Sequence, residues 1–345
     1  MNKKLLATAV AASLTVPVAA NAAEVYGRVN NGIQYFDVDA PDTAVDQSGV
    51  WDVVNVVSRF GLKGSSELEN GMTVSGRYEF ATDTVVEGTG VRDTRLGYVD
   101  IAADWGSVRI GNQWSAFFNA VGTYISPTFT LGFYLGSSAG TLPLRTSNTI
   151  KYSNTAGPVT FQIDSRINAS VTDNIEKNIG IDRGEDFDGL GIGVSFAATD
   201  AVTLGFAIDS EFAGGVNPVT GAEQDDIDRI GVGGSFAWAD SRVDFAWYSI
   251  DTGNNLGFAI PIPRDDDTVG VYYHGVWGMN KLSVGYLVSE AGENVDLTQL
   301  FIGFYHKMGG GFQTYVESAF VDADNTENFI AGDLTNIIVG ARYDF

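Results

Sequence analysis

The sequence predicts an all-β protein, a sixteen-stranded antiparallel transmembrane β-barrel. Three observations lead there. Segments of roughly ten to fourteen residues alternate between apolar and polar positions, as strands with two different environments do. The segments come in an even number. Their connections are short and long in strict alternation, which fits a barrel with tight turns at one end and loops at the other.

Before the strands comes a leader. Lys3 and Lys4 form a basic start, residues 5–20 form an apolar core interrupted by Pro17, and Ala20-Asn21-Ala22 is a small-x-small cleavage pattern. We expect residues 1–22 to be an export signal and 23–345 the barrel. A transmembrane anchor is the weaker reading, because the apolar run is short and the cleavage pattern clean. With 42 Gly and 8 Pro, the chain has many turns and few Pro-rich linkers. It has no Cys, so the fold does without disulfides or thiolate-bound metal. The formal charge is −23, and loss of Lys3 and Lys4 takes it to about −25. That excludes nucleic acid as a partner, since phosphate binding needs basic surface. It also disfavours an anion binder and suits attraction of cations. Solubility in a saline medium accounts for the bulk of the charge equally well. No run of eighteen apolar residues follows the leader, so no transmembrane helix is expected; a barrel needs none.

The elements follow in order. Residues 25–38 alternate, with Val25, Val29, Ile33 and Tyr35 on one face and Tyr26, Arg28, Asn30 and Gln34 on the other. Residues 50–65 put Phe60 and Leu62 opposite Arg59 and Lys63. Asn70-Gly71 then signals a hairpin into 72–82. The next spans are 93–103 and 107–113, then 149–154 and 159–168. The second half is more regular, with 187–198, 202–212, 227–238, 242–251, 268–277, 282–290, 295–307, 312–322 and 334–345. Short turns join alternate pairs. The other connections are 39–49, 83–91, 114–148, 169–186, 213–226, 252–267, 291–294 and 323–333. A soluble sandwich of this size would be unusually large, and no propeller-length repeat is present. One face of most spans is apolar (Val243, Phe245 and Trp247, for example), and the other is mixed and charged (Arg242, Asp244 and Tyr248). Apolar outside and polar inside is the membrane version, in which the sheet must close. Tyr26, Trp238, Trp277 and Tyr343 stand near strand ends and are expected in interfacial girdles.

Several stretches carry a family resemblance. They are 24–29 (EVYGRV), 58–64 (SRFGLKG) leading into Glu67-x-Glu69-Asn70-Gly71, Arg145-x-x-Asn148-x-Ile150-x-Tyr152, and 341–345 (ARYDF). In this order and on these strands the chain resembles the general diffusion porins of Gram-negative bacteria, trimeric sixteen-stranded barrels. The resemblance implies a cell-outer-membrane location and a water-filled pore narrowed by an inward-folded third loop. It also implies a homotrimer among lipid and lipopolysaccharide, and recognition of the terminal Phe345 by the barrel-assembly machinery. By position Arg28, Arg59 and Arg145 match basic wall sites of the constriction, and Arg77 shares their face. The third loop corresponds to the long interval 114–148, which contains Trp114, Phe117, Phe118, Tyr124, Phe129, Phe133 and Tyr134. Arg145 is its only formal charge. The acidic half of a charged constriction is therefore missing from the loop, and Asn112-Gln113 stands where many relatives have a further basic residue. The loop aromatics either pack against the wall or offer stacking surfaces to organic solutes; packing is the preferred reading.

Other chemistry finds little support. Neither His274 nor His306 adjoins a nucleophile motif in sequence, so no catalytic residues are expected. The acidic runs 223–228 and 265–267 have oxygen ligands for Ca²⁺ or Mg²⁺ but lack the spacing of an EF-hand loop, and solvated charge is the preferred reading; no metal site or cofactor is assigned. Gly231-x-Gly233-Gly234 is a small-residue patch on a strand, with no helix after it to bind phosphate. The expected function is non-specific passive diffusion of small hydrophilic solutes and ions, mildly cation-selective. The alternatives are a substrate-specific porin, for oligosaccharides for example, and a plugged structural or adhesion barrel.

Overall fold

The computed structural model describes residues 23–39, 49–87, 90–125, 142–167, 187–212, 226–251, 265–291, 295–325 and 333–345. Their strands are β1 (Glu24–Asp39), β2 (Val50–Asn55), β3 (Arg59–Glu67), β4 (Thr73–Thr82), β5 (Val91–Ala103) and β6 (Gly106–Trp114). After the third loop come β7 (Arg145–Ala156), β8 (Val159–Ile167), β9 (Phe187–Thr199), β10 (Val202–Glu211), β11 (Ile227–Trp238) and β12 (Ser241–Asp251). The last are β13 (Asp265–Trp277), β14 (Asn280–Ala291), β15 (Val295–Gly309), β16 (Phe312–Asn325) and β17 (Asp333–Asp344). All belong to one antiparallel sheet in chain order.

The sheet closes. β1 pairs with β17 along one side, from Arg28 opposite Asp344 to Asp39 opposite Asp333, and with β3 and β2 along the other. No edge is left, as a lipid-facing sheet requires. At the seam Gly27 and Phe345 exchange backbone hydrogen bonds of 2.9 and 3.1 Å. The Phe345 ring lies over Gly27, where a Cβ would come within 2.4 Å of it.

β2 and β3 are two pieces of a single span, so the seventeen strands make sixteen crossings. The expected run 50–65 is broken at Val56–Ser58 by a bulge. Register moves from Arg28–Arg59 to Asn31–Asn55, so this span holds one residue more than β1 over that stretch. Val57 takes φ 55° to absorb it. Ser58 repairs the ladder by accepting the Asn30 amide at 2.9 Å. β7 likewise begins at Arg145 rather than at the expected Thr149, because Asn148 at φ 52° lets the strand continue through a second irregularity.

The two faces differ as the alternation predicts. On β10, Leu204, Phe206 and Ile208 are about 40% exposed, while Gly205, Ala207 and Asp209 between them are buried. The outward residues form the lipid belt. Toward the short turns it ends in rings: Trp105 stacks with Tyr152, Phe236 with Trp238, and Tyr343 with Phe345. Trp238, Trp277 and Tyr343 lie on this outer side. Tyr26 does not, which corrects the girdle expectation for that residue. It shares the inward face of Arg28 and Asn30, and its hydroxyl donates to Glu79 at 2.9 Å. Among the described residues no helix is long and apolar enough to cross a membrane; the crossing is made by strands.

The outer position of Phe206, midway along β10, gives a stability test. Phe206→Arg should cost roughly 2–4 kcal/mol in urea unfolding from lipid vesicles, while Phe206→Leu stays near wild type. Equal midpoints for the two variants would mean that this face does not meet lipid.

Candidate functional site

Two clusters face each other across the lumen. The first is a basic wall on β1, β3, β4, β5 and β17, built around one carboxylate. Glu79 on β4 has no exposed side-chain surface. One oxygen meets Arg95 Nε at 2.9 Å and Arg59 Nη1 at 3.6 Å, and the other meets Arg77 Nη2 at 2.7 Å and the Tyr26 hydroxyl. Arg77 Nε in turn donates to the Tyr26 oxygen at 2.6 Å. A second carboxylate, Asp344, holds Arg28 at 2.7 Å and Arg342 at 2.6 Å. Five guanidinium groups thus share two carboxylates, and the wall is net positive. Arg28, Arg59, Arg95 and Arg342 feel one another's charge, and Arg145 feels that of Arg95 and Glu79.

The backbone decides which arginines reach this wall. Without the bulge at Val56–Ser58, a regular ladder through the same residues would put Arg59 on the outward face of Trp51 and Val53. On β5, Glu79 pairs with Leu96 and Phe80 with Thr94, which leaves Arg95 between them as an unpaired bulge residue. Both bulges turn an arginine from the lipid side to the lumen, as bulges near functional sites commonly re-aim a side chain.

The second cluster is the start of the third loop. After Trp114 the chain forms a short helix, α1 (Ala116–Ala120), and a 3-10 turn, Gly122–Ile125. Ser115 caps the helix by accepting the Phe118 amide at 2.9 Å and donates to the Pro143 carbonyl. The wall supplies the remaining polar anchors. Lys151 donates to the Trp114 carbonyl at 2.7 Å, Asp164 accepts the Ala116 amide, and Asn119 donates to Gln162 at 2.9 Å. Beyond these anchors the segment lies flat on the inward faces of β9–β13. Phe117, Ala120, Val121 and Ile125 form one buried apolar cluster with Ala207, Ala246, Tyr248, Ile250 and Tyr272. Glycines make room for it. A Cβ at Gly193 would lie 2.4 Å from the Ala116 oxygen, and one at Gly205 would lie 1.8 Å from the Ala120 oxygen. Gly231 and Gly233 similarly receive Phe117 and Tyr124. Burial pushes the Tyr124 phenol above its ordinary value, and the nearby Asp244 adds to the shift.

The sequence-predicted residues therefore separate into groups. Arg28, Arg59 and Arg77 meet on the wall with Arg95 and Arg342, two residues the sequence reading did not select. Strand alternation with Ile338 and Gly340 would have indicated Arg342; no sequence signal marked the bulge that turns Arg95. Arg145 stands apart, its guanidinium 5.5 Å from the ring centre of Trp114, which stacks on Phe118 at 4.5 Å. Phe117 is fully buried under the loop, and Tyr124 packs beside it. Phe129, Phe133 and Tyr134 lie outside the described residues, as do the leader 1–22 and positions 223–225. The acidic groups absent from the loop are found on the wall beneath it and next to it. Asp164 accepts from the helix, Asp209 holds Arg166 at 2.6 Å and Arg229 at 2.7 Å, and Asp244 pairs with Arg242 at 3.0 Å.

His274 has a partner that sequence proximity did not show. Its Nδ1 lies 2.9 Å from Ser283 Oγ on the adjacent strand, and its Nε2 lies 3.2 Å from Asp244. Ser283 is fully buried, so its oxygen meets no substrate in this arrangement; the three residues form a cross-strand polar row. Among the described residues no group of three His, Asp or Glu is placed to hold a metal ion.

A closed sixteen-span barrel, apolar outside and charged within, is the architecture of an outer-membrane channel. The chain belongs to the Gram-negative porin family, whose match covers residues 7–326. A curated relative, Outer membrane protein F of Serratia marcescens, is 28% identical over 169 residues. That stretch spans 43% of this chain and 42% of the relative. Two solved structures share the fold. The anion-selective porin from Comamonas acidovorans has a TM-score of 0.72 at 17% identity, over 94% of this chain and 99% of that one. Salmonella typhi OmpF, in complex with daunomycin, has a TM-score of 0.71 at 14% identity, over 94% and 97%.

The buried Glu79 is the hinge of the wall's electrostatics. Removing one partner of a buried ionic cluster leaves the others uncompensated. Glu79→Gln should therefore destabilise the barrel by roughly 3 kcal/mol in urea titrations, with part regained in Glu79→Gln/Arg95→Gln. A single variant as stable as wild type would show that Arg59, Arg77 and Arg95 do not depend on this carboxylate.

Proposed function

We propose that the protein is a general diffusion channel in which the third loop, the Arg28–Arg59–Arg77–Arg95 wall and Arg145 beside Trp114 together form the constriction. The observation that carries this reading is the docking of 115–125 on the inward glycines of β9–β11, across the lumen from the basic wall. A loop fixed there takes up cross-section. Its contribution is shape and apolar surface, because its polar anchors belong to the wall. The Trp114–Phe118 stack beside Arg145 is the part of the loop best placed to meet a passing solute. Transport is passive, with no covalent step. The working form is a homotrimer in a lipopolysaccharide-bearing membrane, delivered through a cleaved leader and assembled through its terminal Phe345. The fold likeness to trimeric outer-membrane proteins supports this, together with the exposed Phe345 at the barrel seam.

The large acidic excess of the chain raises cation concentration at the mouths, whereas the arginine wall opposes it at the narrowest level. We infer mild cation preference, strongest at low salt where screening is least. An anion-selective protein of the same fold makes the opposite sign a real outcome of the test.

Two measurements in planar bilayers check these statements. Excising residues 119–140 should raise single-channel conductance; unchanged conductance would remove the loop from the constriction. In a salt gradient the reversal potential should have the cation-selective sign. Arg28→Gln and Arg145→Gln should each move it further that way, and wild-type anion preference would refute the selectivity reading.

A further inference from the structure

The short-turn end of the barrel has a cavity of about 480 Å³ on the inner wall of β13–β17. Its lining includes Lys281, Lys307, Arg342, Asp344, Tyr305 and Gln313. Register brings them together: Lys281 stands opposite Tyr305, Lys307 opposite Gln313, and Gln313 opposite Arg342. Neighbouring strands thus deliver side chains from adjacent rows to one face.

Charge sets this cavity apart. The chain has 43 Asp and Glu against 20 Lys and Arg, yet three of the four charged residues in the lining are cations. The one carboxylate, Asp344, is already engaged by Arg28 and Arg342. Glu317 accepts the Tyr305 hydroxyl at 2.8 Å and is itself fully buried, so it lies behind the ring and not in the lining. Lys281 holds its ammonium 5.3 Å from the Tyr305 ring centre, within electrostatic reach of Arg242 and Lys307 and also of the carboxylates Glu317 and Asp244, which lie outside the lining. Cations gathered this way, two compact ammonium groups and a planar guanidinium, match an oxyanion that can bridge them. A site made of side chains from inward rows and turn residues opens to water at the mouth, where solutes pass.

We propose that this cavity is an anion-binding station at the short-turn mouth, for small multivalent oxyanions carrying phosphate or carboxylate groups. Lys281 and Lys307 supply point charges, and Arg342, whose Nε and Nη2 both meet Asp344, supplies its Nη1 edge. The inference rests on the channel reading above. The station lies apart from the docked loop, so it affects traffic at one mouth of the barrel. A bound dianion there slows its own passage and that of monovalent anions, and does so saturably.

The test uses the full barrel in planar bilayers at constant ionic strength in KCl, with inorganic phosphate added to one side at a time. Phosphate should reduce the current saturably, and more strongly from one side than from the other. Lys281→Gln/Lys307→Gln should keep its KCl conductance and need on the order of tenfold more phosphate for the same reduction. Lys281→Arg/Lys307→Arg should restore the wild-type response. An absent phosphate effect, or one unchanged in the double Gln variant, overturns the proposal. A barrel with no KCl current would instead sink the channel reading. Calorimetric titration of phosphate into the same two barrels then decides the station by itself, and equal heats would overturn it.

Discussion

Lipid offers a peptide group nothing to hydrogen-bond with, and most of this structure follows from that. A strand in hydrocarbon needs a neighbour on both sides, so β1 is claimed by β17 on one side and by β2 and β3 on the other. Once the sheet is closed, each residue has only two destinations, membrane or lumen, and alternation along the strand chooses between them. The acyl side takes Leu204, Phe206 and Ile208; the water side takes Asp209 and its counterparts. Because the lumen is the only place for charge, ionic partners from distant parts of the sequence are forced into company. Arg28 and Asp344 are 316 positions apart and form one ion pair.

The two halves of the lumen solve different problems. The basic wall must hold several guanidinium groups close together, and it does so by burying a single carboxylate among them. The loop side must hold a peptide segment inside a water-filled tube. There the strands contribute glycine where the segment lies flat, and polar side chains where its carbonyl and amide groups need partners. Lys151 and Asp164 do for Trp114 and Ala116 what a neighbouring strand would do elsewhere. This division explains how the described part of the loop can be almost wholly apolar and uncharged and still have a fixed position.

Much of this was legible in the sequence because period-two alternation is a direct image of the two environments. The sixteen spans, the tight turns and the long interval after Trp114 all follow from it, while the inward fold of that interval was implied by the family resemblance. The failures have local causes. The bulge at Val56–Ser58 and the one at Arg95 shift the alternation by one, and no residue pattern marks that Arg95 joins the inward face. Asn148 in a left-handed conformation carried β7 back to Arg145, four residues earlier than alternation suggested. Tyr26 stands near a strand end, as girdle residues do, yet its parity with Arg28 outweighs its position. The glycines at 231–234 stood out in the sequence, but their use as a bed for Phe117 and Tyr124 depends on a segment more than a hundred residues earlier. No local pattern announces that.

The bulges have a further consequence for how such a chain can change over generations. In a regular span, gaining or losing one residue would turn every following side chain inside out, and selection would remove it. At Val56–Ser58 and at Arg95 the ladder already tolerates an odd count. Loss of one residue would restore a regular ladder at either place: at Val56–Ser58 Arg59 would stay opposite Arg28, whereas loss of Thr94 would move Arg95 opposite Phe80, toward lipid, while the rest of its strand keeps its place. The bulge at Arg95 is therefore where the lineage is freest to rewrite the charge of its passage by changes in length as well as by substitution.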